Sequence, residues 1–198
     1  MIAISRPHFE KQRKDKLRKI LDAARQVFCR KGFLAVKMQD IIDECGISRG
    51  GIYVYFSSVE EVFLAVLEQR NKVVTKWSEP FEVVLDNFMA RQKERLMNFE
   101  NSLFRAYCEY IFSQPKEVIR VLRDTQLTQL RGSVEAILNY GVSQDVIKGI
   151  DIPQIAVHFI VTIDGLSVLA LGAALPEEII DEQFAILTKL LFKGGLNG

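Results

Sequence analysis

Hydrophobic residues recur at the spacing of a helix face along almost the whole chain of 198 residues. In one segment after another, residues three and four positions apart are apolar, which places them on the same side of an α-helix. Glycine, proline and capping residues separate these segments. The pattern predicts an all-α fold with helices at residues 11–31, 38–45, 49–56, 58–77, 80–98, 99–113, 115–141, 153–175 and 177–192.

The stretch at residues 38–56 is predicted to form two short helices joined by a tight turn. In the first helix, Met38, Ile41 and Ile42 share one face. Gly46 is expected to end that helix, because glycine readily adopts the left-handed conformation of a helix end. Ser48 follows as an N-cap for the second helix. Such a helix-turn-helix is a common device for reading the major groove of DNA.

Two adjacent glycines, Gly50 and Gly51, stand in the second short helix. Each costs on the order of 1 kcal/mol relative to alanine in a helix interior, so a compensating gain is expected. One interpretation is that the backbone approaches the base edges of DNA here, with Arg49 donating two hydrogen bonds to a guanine. The other is that the glycines allow two helices to pack closely.

Two tyrosines, Tyr53 and Tyr55, follow in the same helix. Their hydroxyls fit contacts with DNA phosphates, which position a protein on the duplex. The alternative is that both are ordinary packing aromatics.

Positive charge is concentrated at one end of a chain whose net charge is only +1. Residues 1–56 carry 12 Lys and Arg against 6 Asp and Glu, so their net charge is +6 and that of the remainder is −5. This asymmetry is an electrostatic footprint for a polyanion, and the helix-turn-helix pattern favours DNA over anionic lipid. Basic residues at 11–16 either reach flanking phosphates or form a solvated face.

Several short motifs, taken in order, carry a family resemblance. They are GF at 32–33, MQDI at 38–41, CGIS at 45–48, GIYVYF at 51–56 and EEV at 60–62. This set resembles the N-terminal signature of the tetracycline-repressor (TetR/AcrR) family. The resemblance implies a homodimeric, all-helical repressor with a three-helix DNA-binding head and a larger body that binds an inducer. It places a helix-turn-helix domain at residues 1–58 and an effector-binding and dimerisation domain at residues 59–198.

Two positions depart from the family pattern. Val36 and Lys37 replace the usual pair of threonines, so the threonine cap and its phosphate contact are missing and Lys37 supplies a positive charge instead. Val59 stands where the family often has a phosphate-contacting lysine, and no contact is assigned to it. The candidate DNA-contacting residues are Lys37, Gln39, Ser48, Arg49, Gly50, Gly51, Tyr53 and Tyr55.

Aromatic residues cluster in the middle helices, and a few polar residues interrupt apolar stretches. Aromatics at helical spacing are more often core than pocket, and a histidine among apolar residues is more often a satisfied core residue than a ligand contact. A buried polar group nevertheless needs a partner, either in the protein or on a ligand. The candidate inducer-contacting residues are Trp77, Phe88, Phe104, Tyr107, Tyr110, Gln126, His158, Thr162 and Asp164. Their composition predicts a mainly apolar inducer.

Two apolar segments, residues 153–175 and 177–192, close the chain. The first is long enough to span a membrane. His158 and Asp164 near its middle argue against a span, and an exposed apolar helix favours a protein partner. Two copies of each helix would form a four-helix dimer interface, whose two-fold symmetry suits a palindromic operator. The N-terminus has too short an apolar stretch for a signal peptide, so a cytoplasmic protein is expected.

Two further hypotheses stay open. Cys29, Cys45 and Cys108 lack the spacing of a disulfide framework or a zinc site, and neither a metal nor a cofactor is predicted. A DNA-binding regulator without a small-molecule inducer, controlled by a protein partner or by oxidation of Cys108, remains the alternative. An enzyme is ranked low, because the sequence has no nucleophile elbow, no glycine-rich phosphate loop and only two histidines.

Overall fold

The computed structural model describes residues 6–70, 76–171 and 173–192, in which every regular element is a helix. The all-α prediction is therefore confirmed. The helices are α1 (Arg6–Lys31), α2 (Met38–Cys45), α3 (Arg49–Tyr53), α4 (Val59–Arg70), α5 (Phe81–Met97), α6 (Leu103–Ser113), α7 (Lys116–Ser143), α8 (Ile152–Leu169) and α9 (Glu177–Phe192), with a 3-10 turn at Phe99–Asn101. The predicted run of the fourth helix through residues 71–75 lies outside the described residues.

The chain folds into two compact units. The first contains α1 to α4 together with α6, and the second contains α5 and α7 to α9. The first unit extends past the predicted DNA-binding domain at residues 1–58, because α4 and α6 both pack against α1. The predicted boundary at residue 58 between an operator-binding and an effector-binding domain stays a prediction about function.

Aromatic side chains hold α6 in the first unit. The centroid of the Tyr110 ring lies 4.7 Å from that of Phe33 and 5.3 Å from that of Phe63. The Tyr110 hydroxyl donates a hydrogen bond of 2.6 Å to the Glu60 carboxylate on α4. Burial, reinforced by this hydrogen bond, raises the pKa of the Tyr110 hydroxyl. Tyr110 is therefore a core residue of the unit that contains the helix-turn-helix.

A carboxylate on α6 also organises the turn between α1 and α2. Glu109 accepts hydrogen bonds from the backbone N–H groups of Phe33 at 2.7 Å and Leu34 at 3.1 Å. Gly32, which ends α1, has a φ of +75°, and a Cβ there would collide with the Glu109 carboxylate. Glycine is thus required at this position by backbone conformation and by the space that the carboxylate occupies.

The start of α2 shows how the chain manages without the family's threonine cap. The N-cap is Lys37, whose side chain has no acceptor, and the Asp40 carboxylate accepts from the Lys37 backbone N–H at 2.8 Å. The same carboxylate pairs with the Lys31 ammonium at 2.6 Å. This side-chain bond to Lys31, followed by the backbone bond, lowers the pKa of Asp40. Asp40, in the first turn of the helix, thus satisfies the backbone N–H of the N-cap residue, although that residue has no side chain that can cap the helix.

Hydrogen bonds among Ser57, Ser58 and Glu61 stabilise the start of α4. The Ser58 hydroxyl accepts from the Glu61 backbone N–H at 3.1 Å. The Glu61 carboxylate accepts from the Ser57 backbone N–H at 2.7 Å and from the Ser57 hydroxyl at 2.8 Å. These bonds, the backbone one first, lower the pKa of Glu61. These bonds fix the point at which α4 begins after the helix-turn-helix.

In the second unit, α7 continues past Gly141, where the sequence pattern predicted that it ends. Gly141 is buried, and a Cβ there would lie 2.7 Å from the Phe81 ring and from the Ile147 side chain. This glycine serves close packing rather than termination, so the helix runs on to Ser143. The predicted helix at 99–113 likewise differs, because a 3-10 turn precedes α6.

The apolar helix α8 is long and hydrophobic enough to cross a membrane by length and composition alone, but only 39% of it is buried. Its buried residues pack into one core with residues of α5, α7 and α9. The remaining apolar residues lie on its exposed side. They include Val161, which is 62% exposed, and Leu169, which is 64% exposed. The helix ends at Leu169, short of the predicted residue 175.

Candidate DNA-binding surface

The helix-turn-helix is anchored to the first unit by a few buried side chains. Ile41 and Cys45 of α2 are buried, as are Ile52 of α3 and Phe56, which follows it. Because these residues face inward, the opposite sides of both helices face solvent. The short α3 therefore depends on its packing, since five residues are too few for a helix that is stable alone.

The turn between α2 and α3 forms as the sequence predicts. Gly46 takes a φ of +63° and its N–H donates to the Ile42 carbonyl, which ends α2. The Ser48 hydroxyl then accepts a hydrogen bond of 3.3 Å from the Gly51 N–H and caps α3. Both local predictions are confirmed. The hydroxyl of Ser48 thus has a structural role in addition to its predicted contact with DNA.

Arg49 and Tyr53 form a pair on the solvent side of α3. They are four residues apart, and the guanidinium carbon of Arg49 lies 5.8 Å from the centroid of the Tyr53 ring. A cation–π contact at an exposed site is worth about 0.5–1 kcal/mol. Stacking restricts the arginine side chain while its in-plane N–H groups stay available for bidentate bonding. Tyr53 is 44% exposed, so the pair presents both an aromatic face and a forked donor.

The two glycines of α3 have different surroundings. A Cβ on Gly51 would lie 2.9 Å from Cγ2 of Ile47 and 3.1 Å from the Ser48 hydroxyl, so packing within the turn accounts for this glycine. A Cβ on Gly50 would meet no described atom within 4 Å. Close packing of two helices, the alternative interpretation, therefore does not account for Gly50 within the described part of the chain.

The other candidate DNA-contacting residues lie on or beside the same two helices. Lys37 is exposed at the N-cap of α2, and Gln39 is exposed two residues later in the first turn of the helix. The Gln39 side-chain amide donates to the Asp43 carboxylate at 2.7 Å, which fixes its orientation and leaves its carbonyl oxygen as an acceptor. Tyr55 is half-buried just after α3. DNA contact by these residues stays a prediction.

Two ion pairs tie the C-terminal end of α1 to α2. Arg30 pairs with Glu44 at 2.6 Å and Lys31 pairs with Asp40 at the same distance. The hydrogen bond from Arg30 lowers the pKa of Glu44. These two bases are already engaged by acids of their own unit, so the surplus positive charge lies with the other basic residues, chiefly in the first half of α1.

One residue on this surface, Val54, was not among the candidates from the sequence. Val54 caps the C-terminal end of α3 and is 76% exposed, where an apolar side chain fits the methyl group of thymine. Its position two residues after buried Ile52 was the available signal, because side chains two apart on a helix point in different directions. Lys16 of α1 has its Nζ 3.4 Å from the place of a Cβ on Gly51, and no local sequence signal shows this.

Three candidate inducer-contacting residues lie on α6 in the first unit. Phe104 is buried, Tyr107 is half-buried, and their ring centroids are 6.1 Å apart. The third, Tyr110, is the core residue described above. The structure thus groups these aromatics with the helix-turn-helix unit rather than with the other candidates.

The remaining candidates belong to the second unit. The Trp77 ring contacts the Tyr140 ring in a tilted arrangement with a centroid separation of 5.1 Å, and Phe88 packs against the core. Gln126 on α7 and Thr162 and Asp164 on α8 are half-buried. Within the described residues, no group of three or more His, Cys, Asp or Glu could hold a metal ion.

The expectation that His158 is buried is wrong. It lies on the exposed side of α8, whereas neighbouring Ile155 and Phe159 face the core. Apolar residues cover most of the circumference of α8, so apolar neighbours in the sequence do not indicate burial here. The argument from an unsatisfied buried imidazole therefore does not apply to His158.

Comparison with known proteins identifies the first unit. The family model "Bacterial regulatory proteins, tetR family" matches residues 20–66, which contain α2, α3 and most of α1 and α4. Over 63 residues the chain is 51% identical to YfiR of Bacillus subtilis, an uncharacterised HTH-type transcriptional regulator. Over these residues the chain matches the TetR family. The resemblance seen in the short N-terminal motifs is confirmed.

Two other similar proteins show how far the similarity extends. The chain is 30% identical over 87 residues to the HTH-type transcriptional regulator UidR of Escherichia coli. The matches cover 31% of this chain and 31% of YfiR, and 43% of this chain and 43% of UidR. The chain therefore matches less than half of the length of either relative. GusR of Salmonella enterica shares the fold, with a TM-score of 0.59 over 96% of this chain and 99% of GusR at 19% identity.

Proposed function

We propose that this TetR-family chain is a sequence-specific DNA-binding regulator of transcription in the cytoplasm. It binds a palindromic operator as a homodimer and represses transcription until a small, mainly apolar inducer binds. The observation that carries the proposal is the solvent-facing side of α3, where Gly50 is open to approach beside the stacked Arg49–Tyr53 pair.

The chemistry of α3 supports DNA as the partner. Arg49 offers the forked donor that recognises O6 and N7 of guanine, and each good bidentate contact discriminates by about 1–3 kcal/mol. Tyr53 offers a hydroxyl for a phosphate beside it. At Gly50 the absence of a side chain allows the helix backbone to come close to the base edges. Specificity and positioning are thus both available within one helical turn.

The exposed apolar residues of α8 support the homodimer. Val157, Val161 and Val168 lie along one stripe of the helix and are all exposed. Gly165, within the same stretch, is also exposed, and a Cβ there would meet no described atom within 4 Å. A stripe of apolar side chains with a small residue permits close approach of a second copy of the helix. Exposed Ile186 on α9 adds to the apolar surface in the same unit.

The second unit also supports the proposal of an inducer. Trp77 and Phe88 offer aromatic contacts, and half-buried Thr162 and Asp164 offer polar ones. A mainly apolar compound with one or two polar groups matches this combination. Release of operator on addition of such a compound, lost in Phe88→Ala or Thr162→Val, would support the inducer and its contacts.

The direct test of the proposal is selection of genomic DNA fragments by the purified protein at two salt concentrations. The proposal predicts an enriched palindromic motif whose affinity falls as salt rises, because phosphate contacts release counterions. Retention of fragments without any common motif would contradict sequence-specific recognition. A non-palindromic motif would contradict the two-fold dimer.

A further inference from the structure

The turn between α1 and α2 takes a hydrogen-bond acceptor from α6. Gly32 ends α1 by donating its N–H to the Phe28 carbonyl at 2.9 Å. The next two N–H groups, those of Phe33 and Leu34, both donate to one carboxylate oxygen of Glu109, which lies 76 residues after Phe33 in the sequence. Backbone N–H groups need acceptors, and here a distant side chain supplies one. The geometry of the turn from which α2 starts therefore depends on where α6 lies.

The surroundings of the Glu109 carboxylate direct it at this turn. A Cβ on Gly32 would collide with the carboxylate, so the glycine leaves the space that the carboxylate occupies. Arg105, one turn earlier on α6, places its Nε 3.4 Å from the other carboxylate oxygen. Hydrogen bonds to an ionised acceptor are roughly twice as strong as bonds between neutral groups. The arrangement of α1 and α2 that allows both bonds is thus favoured over others.

The next residue of α6 makes a second link, to the element that follows the helix-turn-helix. The Tyr110 hydroxyl donates to the Glu60 carboxylate of α4 at 2.6 Å, and its ring packs against Phe33 and Phe63. Glu109 holds the turn before α2, and Tyr110 holds the helix after α3. Two adjacent residues of one helix are therefore bonded to both ends of the helix-turn-helix.

We propose that α6 holds the helix-turn-helix in its operator-binding arrangement through Glu109, a positioning residue that acts without contacting DNA. The inference rests on the proposed function, because the operator defines which arrangement binds. The bonded turn and the bound operator then stabilise each other by the same factor, since coupling between two sites is reciprocal. The apparent Kd for the operator rises as the fraction of protein with the bonded turn falls.

The first test measures binding of Glu109→Ala, Glu109→Gln and Glu68→Ala to the selected operator and to a scrambled duplex. Glu68 is exposed on α4, so Glu68→Ala removes a carboxylate from the same unit without touching the turn. Glu109→Ala is expected to weaken operator binding by about 5- to 150-fold, the usual range of coupling between two sites. Its binding to the scrambled duplex should match that of Glu68→Ala. Glu109→Gln, which keeps one oxygen acceptor, should lose less.

Amide hydrogen exchange at Phe33 and Leu34 provides a readout that a purely structural role would not change. In the wild type and in Glu68→Ala, adding operator should slow exchange at these two amides more than adding scrambled duplex does. In Glu109→Ala this operator-dependent slowing should disappear, because the acceptor that the operator-binding arrangement requires is missing. Thermal unfolding shows that each variant is folded at the temperature of the assay, and Glu109→Gln carries the comparison if Glu109→Ala is not.

Three results would overturn the inference. The first is a folded Glu109→Ala that binds operator as tightly as Glu68→Ala does. The second is a loss of affinity that is equally large on the scrambled duplex, because general affinity rather than the arrangement of the helices would then have changed. The third is exchange at Phe33 and Leu34 that does not respond to operator in the wild type. Failure of the wild type to select any operator would instead contradict the proposed function itself.

Discussion

At the scale of single residues, the adjacent glycines Gly50 and Gly51 are explained by different features of their surroundings. Gly51 is crowded by Ile47 and Ser48, whereas nothing described surrounds the place of a side chain on Gly50. The cost of glycine in a helix is the same for both in principle. From the sequence the two were indistinguishable, and only the positions of non-adjacent atoms separate them.

Gly50→Ala should therefore separate stability from DNA binding. The methyl group meets open space, so the free energy of unfolding should stay the same or rise by up to about 1 kcal/mol. Operator binding should weaken by roughly 1–3 kcal/mol, the range of a lost base contact, because the methyl group holds the backbone away from the bases. Thermal unfolding and fluorescence anisotropy measure the two quantities.

Gly51→Ala is the matched comparison for this prediction. Its methyl group would lie 2.9 Å from Ile47, so the turn must shift and the thermal midpoint should fall. Unchanged operator affinity in Gly50→Ala would contradict close approach of DNA at this position.

At the scale of elements, local signals predicted the turn between α2 and α3 correctly, but they did not predict roles that depend on tertiary packing. Gly46 and Ser48 act within four residues of themselves, so their roles follow from the sequence. Gly141 was misassigned because the atoms that exclude a side chain there belong to Phe81, sixty residues earlier. Similarly, the sequence gives no sign that Tyr110 packs with α4, because that contact depends on how the helices are arranged.

The turn between α1 and α2 provides a prediction at this scale. Glu109→Ala removes the acceptor of two backbone N–H groups, and hydrogen bonds to charged groups are worth about 1.5–3 kcal/mol each when well formed. Amide hydrogen exchange at Phe33 and Leu34 should accelerate, and the thermal midpoint should fall. Glu109→Gln, which keeps one oxygen acceptor, should lose less.

Glu182→Ala serves as the control for this prediction, because it removes an exposed carboxylate from α9 in the second unit. Exchange at Phe33 and Leu34 that is as slow in Glu109→Ala as in Glu182→Ala would show that the carboxylate does not hold the turn.

At the scale of the whole molecule, the sequence predicted an all-helical chain with a DNA-binding head. The all-helical fold is confirmed, and so is the resemblance to the TetR family over residues 20–66. The compact units follow packing rather than chain order, since α6 belongs with α1 to α4. Periodicity assigns residues to faces of helices, but it does not say which helix a face meets. Periodicity likewise does not identify what the exposed stripe on α8 contacts, because that contact would form between two chains.

The dimer proposal predicts the effect of a charge placed in that stripe. Val161→Glu should weaken dimerisation by about 2 kcal/mol or more, because the carboxylate would be buried without a partner. Operator affinity should fall with it. Asn87→Glu, which adds the same charge at an exposed position of α5 in the same unit, should leave both unchanged. Sedimentation at several protein concentrations measures the association, and a Val161→Glu protein that sediments like the wild type would refute this interface.

The central claim is that α3 reads bases through Arg49 in both subunits of a dimer. The most direct measurement repeats the genomic selection with Arg49→Ala and compares its motif with that of the wild type. The account predicts that base preference disappears at two positions related by the two-fold axis of the palindrome, with a loss of about 1–3 kcal/mol per contact. An unchanged motif, with affinity reduced equally on operator and random DNA, would mean that Arg49 contacts phosphate and that other residues read the sequence.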